Sequence, residues 1–125
     1  MKKIYTGIII AVLLSALSVL AVDGNIRKVY SENGVYASAS YYPDTYNKVA
    51  GAVRFRTETG KVSLQWDGKY NSWQLLEDTE TTLSYSVMAT DYSSYYNPTK
   101  TLVTVTYDKV TGTMSLESVK FNLVF

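Results

Sequence analysis

The chain contains no cysteine and no histidine, and these two absences remove most familiar side-chain chemistry. Without a thiol there is no disulfide and no Cys-His nucleophile; without an imidazole there is no Ser-His-Asp triad. Without either there is no ordinary structural zinc site. Stability has to come from burial and strand pairing alone. An excess of positive charge is missing too: 12 basic residues stand against 11 acidic ones, for a net charge of +1. Nothing in that balance favours nucleic acid or an anionic membrane surface, both of which attract clustered basic residues.

What is present begins with a leader. Lys2 and Lys3 are followed by the apolar run from Ile8 to Leu14, and Val19-Leu20-Ala21 puts short residues where a signal peptidase cleaves. Residues 1–21 read as a secretory signal peptide and 22–125 as one domain, secreted or periplasmic. An uncleaved anchor is the alternative, and the only membrane contact expected. Against it, Ser15 and Ser18 interrupt the apolar run and no basic stop-transfer cluster follows. Removing the leader takes Lys2 and Lys3 with it, so 12 − 2 = 10 basic residues face 11 acidic ones, a net charge of −1.

Beyond the leader, apolar and polar residues alternate and helical periodicity is nearly missing. Eight strands are predicted: 26–30, 35–42, 48–58, 61–67, 72–77, 81–90, 101–107 and 113–125. Val53 and Phe55 oppose Arg54 and Arg56; Val62, Leu64 and Trp66 alternate with Ser63, Gln65 and Asp67. Leu83, Tyr85 and Val87 take one face against Ser84 and Ser86, as do Val103, Val105 and Tyr107 against Thr104 and Thr106. Trp66 and Trp73 fall on core positions. One dry and one wet face per strand is the pattern of an antiparallel β-sandwich, with a small up-and-down barrel as the alternative.

Turn chemistry agrees. Asn33-Gly34 and Asp67-Gly68 are short-turn pairs, Gly60 and Gly112 stand where hairpin loops call for positive φ, and Pro43 and Pro98 fall in loops. The last strand changes phase: Met114 and Leu116 share one parity, Val119, Phe121, Leu123 and Phe125 the other. A bulge near Glu117 and Ser118 would put both sets on the core side.

The chain has 12 tyrosines, and their placement is the main clue to function. If every strand reverses the one before it, the loops around 41–46, 68–71 and 91–98 emerge at one end of the domain. Tyr41, Tyr42, Tyr46, Tyr70, Tyr92, Tyr95 and Tyr96 would then crowd one rim, and Tyr42, Tyr46, Tyr70, Tyr92, Tyr95 and Tyr96 are the candidate binding residues. Loops rich in Tyr, Ser and Asn are typical of binding surfaces, because Tyr offers a flat apolar face and a hydroxyl at little conformational cost. The competing reading makes the same tyrosines a cap on the open end of the core.

Other constellations carry less. Glu77, Asp78 and Glu80 could approach a Ca²⁺ ion but match no known loop spacing. Glu58, Asp67 and Asp91 could supply carboxylates for glycoside hydrolysis, yet any two of the 11 acids could be nominated. A terminal strand ending in Phe resembles the closing strand of an outer-membrane barrel, but several strands are too short to span and their outer faces are polar. The expectation is therefore a non-catalytic exported binding module with no cofactor, recognising a glycan or an extracellular protein through its tyrosines. The alternative is an envelope assembly protein that pairs through its C-terminal strand. If the leader is processed, mass spectrometry of exported protein should find an N-terminus within a residue or two of Val22, and Ala21→Glu should abolish processing. An intact Met1 in exported protein would overturn the leader.

Overall fold

The computed structural model describes residues 25–43 and 48–125; the expected leader and Tyr46 lie outside them. The described residues form β1 (Ile26–Glu32), β2 (Val35–Tyr42), β3 (Lys48–Thr57), β4 (Gly60–Asp67), β5 (Trp73–Asp78), β6 (Thr82–Asp91), β7 (Thr99–Asp108), β8 (Met114–Glu117) and β9 (Asn122–Val124), with no helix among them. Every ladder is antiparallel. Along one continuous sheet the order is β1-β2-β3-β4-β6-β7-β8-β9, and β5 pairs only with β6. The expected all-β antiparallel architecture is the one adopted, with hydrogen bonding continuous as in a barrel and opposite halves packed face to face as in a sandwich.

Alternation drives the curl. Ala37, Ala39 and Tyr41, then Val49 and Val53, then Val62, Leu64 and Trp66 point into one core with Leu83, Tyr85, Val87, Val103, Val105, Met114 and Leu116. Small inward residues on β2 and β3 leave room for the largest one. A Cβ added at Gly51 would lie 2.2 Å from Trp66 Cζ2, so the indole rests directly on the β3 backbone. Trp66 Nε1 donates to the Tyr85 hydroxyl at 3.4 Å, and that hydroxyl donates to the Ser40 carbonyl at 3.4 Å. Burial holds the Tyr85 pKa well above its ordinary value, so the phenol stays a neutral donor. This relay spans the core from β4 through β6 to β2, and Trp73 adds edge-on contacts with Tyr41 at 6.1 Å and Tyr85 at 6.2 Å.

The expected reversal of direction at every strand fails once. β4 and β5 lie on the same edge of β6 and run the same way: Leu64 and Gln65 face Asp91 and Thr90, while Trp73 to Asp78 face Val87 to Leu83. Residues 68–72 are thus an outward excursion within one interrupted strand, and the Asp67-Gly68 pair makes no hairpin. Asn71 knits the break. Its amide donates to the Met88 carbonyl and the Thr90 hydroxyl, both at 3.0 Å, and its Oδ1 accepts from Asp67 N at 3.0 Å.

Two further expectations are corrected. The C-terminal strand is not one bulged strand but the hairpin β8–β9, with Leu116 opposite Leu123 and Ser118 N bonded to the Phe121 carbonyl at 2.9 Å. A reversal, like a bulge, lets Met114 and Leu116 face the core together with Leu123. Val119, expected inward, sits on the turn at 94% exposure. Of the glycines expected at positive φ, Gly112 complies and Gly60 does not; Asn33 (φ 52°) and Gly34 (φ 79°) form the tight β1–β2 turn as expected.

Asn71→Ala should cost about 1–3 kcal/mol, because it takes their partner from the partly buried Met88 carbonyl and Asp67 amide. Trp66→Ala should cost about 3–5 kcal/mol, and the outward Gln65→Ala no more than about 0.5. Urea unfolding checks all three; similar small losses throughout would show that the core is wrongly assigned.

Candidate functional site

The interrupted strand decides where the tyrosines go. Tyr42 ends β2 opposite Lys48, at the end of the sheet where β4 reaches Asp67. Tyr70 projects from the 68–72 excursion near that end, 75% exposed with the Lys69 ammonium 5.5 Å from its ring. The loop 92–98 leaves β6 alongside the middle of β4 and heads toward the opposite end, where β4 begins: Asp91 faces Leu64 and Tyr92 N donates to the Ser63 carbonyl at 2.7 Å. Tyr92, Tyr95 and Tyr96 are therefore separated from Tyr42 and Tyr70, and the single six-tyrosine rim does not form. Tyr46 lies outside the described residues. Tyr41 is buried in the core.

The 92–98 loop combines a fixed base with an open tip. Asp91 occupies the last inward position of β6, and its side chain is only 3% exposed. It accepts from Ser93 N at 2.8 Å, from the Ser93 hydroxyl and from Lys120 Nζ on the β8–β9 turn. The Ser93 hydroxyl in turn accepts from Ser63 N at 3.1 Å. At the tip Tyr95 and Tyr96 are 85% and 91% exposed, with their rings edge to face at 4.9 Å, and Tyr92 is 48% exposed. A desolvated carboxylate thus anchors the loop from which two aromatic rings project.

Next to this loop, register builds a second feature. Tyr36, Arg54 and Ser63 are consecutive cross-strand neighbours on the outward face of β2, β3 and β4, and Tyr92 is bonded to the same Ser63. One row toward the rim, Arg56 stands directly opposite Lys61. These side chains, with Gly34, line an open groove of about 370 Å³. The Arg54 guanidinium stacks 4.7 Å over the Tyr36 ring. Sequence reasoning placed Arg54 and Arg56 outward but not beside Lys61; the tight turn at Glu58-Thr59 was the signal that could have paired them.

The weaker candidates disperse. Among the described residues no three acidic side chains come together as a metal site; Asp78 is instead paired with Lys109 at 2.7 Å. Asp67, paired with Lys48 at 3.3 Å, ends β4, whereas Glu58 lies on the turn before that strand begins, so Glu58 and Asp67 do not converge. Asp91 is held by Lys120.

Burial, the largest single influence on the Asp91 carboxyl, pushes its pKa up, but the bonds from Lys120 and Ser93 outweigh it and the net direction is down. Asp67, chiefly through the Lys69 amide, and Asp108, chiefly through the Thr111 and Val110 amides, are lowered as well. A carboxylate lowered in the folded state stabilises the fold above its unfolded pKa of about 3.9, and that contribution is lost as pH falls through the folded value. Asp91→Asn should therefore flatten the acid limb of the stability–pH curve and speed amide exchange in 92–98. An unchanged acid limb would show that the Lys120 pairing contributes nothing.

No family model, no curated protein and no solved structure matches this chain.

Proposed function

We propose that the chain is an exported, non-catalytic binding module that takes a glycan on the end of the sheet carrying Tyr92, Tyr95 and Tyr96. The observation that carries this reading is the contrast within one loop. Two tyrosines are held almost fully in solvent while the loop's base is fixed by a buried carboxylate, a lysine and two hydrogen bonds to the backbone of Ser63 on β4, one from Tyr92 N and one to the Ser93 hydroxyl. Exposed aromatic rings on an ordered base lose little further freedom on binding, and a phenol face with a hydroxyl tip suits the apolar faces and hydroxyls of a sugar ring. Tyr42 and Tyr70 belong to the other end and are no part of this surface.

A loop that recognises rather than packs should tolerate truncation. Tyr95→Ala/Tyr96→Ala is expected to leave the urea midpoint unchanged and to weaken binding on an array of neutral and acidic oligosaccharides by about 1–4 kcal/mol. A double variant that unfolds would make these rings core caps. A wild-type domain that binds no saccharide would overturn the reading.

A further inference from the structure

We infer that the groove formed by Tyr36, Arg54, Arg56 and Lys61 is an oxyanion subsite, so that the saccharide taken by the neighbouring tyrosines is an acidic one carrying carboxylate or sulfate groups. The inference rests on the glycan-binding reading and adds the charge of the ligand to it. Like charges placed directly opposite across two strands destabilise a sheet, and Arg56 faces Lys61 in this way, with Arg54 on the same face of β3. The ion pairs of the described residues are Lys48–Asp67, Lys109–Asp78 and Lys120–Asp91, and they leave these three cations out. Among the described residues no side-chain hydrogen bond occupies them either, and Arg54 has the Tyr36 ring as its one partner there. Glu58, the nearest acid along the chain, stands exposed on the turn and forms no ion pair with them. A chain of net charge +1 has thus gathered three unneutralised cations around its groove. A bound oxyanion would turn this repulsion into attraction, and the arginine forks match the planar oxygens of a carboxylate or the oxygens of a sulfate.

The surroundings select a saccharide among anions. β3 is paired with β2 as far as Arg54 and with β4 from Ala50 to Thr57, so an extended acidic peptide finds only the short stretch Phe55–Thr57 to join at the groove, too little edge for strand addition. A nucleic acid is held by a longer basic stripe on a basic domain, whereas here three cations sit on a nearly neutral chain. The row Tyr36–Arg54–Ser63 leads to Tyr92, which places aromatic faces and a hydroxyl beside the charges.

The test titrates the domain by calorimetry with oligogalacturonate, sulfated dextran oligosaccharide, neutral dextran oligosaccharide of equal length and a single-stranded oligonucleotide. Wild type should bind one or both acidic saccharides, more weakly as salt rises, and bind the neutral one and the oligonucleotide at least about tenfold more weakly. Arg56→Gln/Lys61→Gln should lower acidic-saccharide affinity about tenfold or more. Lys61→Glu, which gives Arg56 an opposite charge across the strands, should abolish binding while the urea midpoint holds or rises; a fall in the midpoint would show that the two cations do not repel. Equal binding of neutral and acidic saccharides through Tyr95 and Tyr96, indifferent to the charge variants, would overturn the oxyanion subsite and leave the glycan reading standing. No binding to any saccharide would overturn both, and tightest binding of the oligonucleotide would replace the saccharide with a phosphate backbone. Acidic-saccharide binding that needs Arg56 and Lys61 but not the tyrosines would keep the subsite and remove the tyrosine surface.

Discussion

The arrangement of the whole sheet depends on one shared edge. β6 gives one side entirely to β7, and divides the other between Leu64 and Gln65 in the middle of β4 and the length of β5. Because both partners must run antiparallel to β6, they run parallel to each other, and the chain between them can only bulge outward and return. Asn71 knits that return by offering the Met88 carbonyl the hydrogen bond a strand residue would have offered, and by adding one to the Thr90 hydroxyl. With this break, the loop after β6 emerges beside the first two hairpin turns. Without it, that loop would sit at the far end with Tyr42.

Strand existence and facing were legible because they follow from period-two alternation, which is local. Trp66, Tyr85 and Val105 could be assigned to the core from neighbours two residues away, and all three are buried. The direction of β5 was not legible. Asp67-Gly68 and a polar run 69–72 carry the same composition whether the chain reverses or bulges, and the outcome is set by which distant strand accepts the hydrogen bonds. The C-terminal phase change was read correctly as a fault in the alternation and explained by the wrong device, since a bulge and a four-residue turn both restore core facing. What excluded the bulge was length: β8 and β9 each reach the core only if the chain folds back at Ser118, whose hydroxyl accepts from Lys120 N at 2.9 Å.

Tyrosine content by itself never separated the two readings of the loops, because this chain uses tyrosine for both purposes. Tyr41 and Tyr85 are interior residues, and Tyr85 has both its hydroxyl and its ring engaged. Tyr36 lies under a guanidinium, and Tyr95 and Tyr96 stand in solvent. The distinction is carried by parity and by loop anchoring. Asp91 carries it as the last inward residue of β6, not the first residue of a polar loop.

The position of the groove relative to the sheet's open seam follows from the same reasoning. β1 and β9 end the hydrogen-bonded order and meet through side chains: Tyr30 and Phe125 stack at 5.5 Å, and Lys28, inward on an edge strand, donates to the Gly112 carbonyl. An inward-pointing lysine and a three-residue final strand are devices that discourage pairing with another chain. Fraying at this seam breaks the fewest backbone bonds, so local opening begins there. β3, in contrast, is an interior strand, with partners on both sides from Ala50 to Arg54. Arg54 therefore stands on the doubly bonded part of the sheet, and Arg56, one row nearer the β3–β4 turn, is held by its pairing with Lys61.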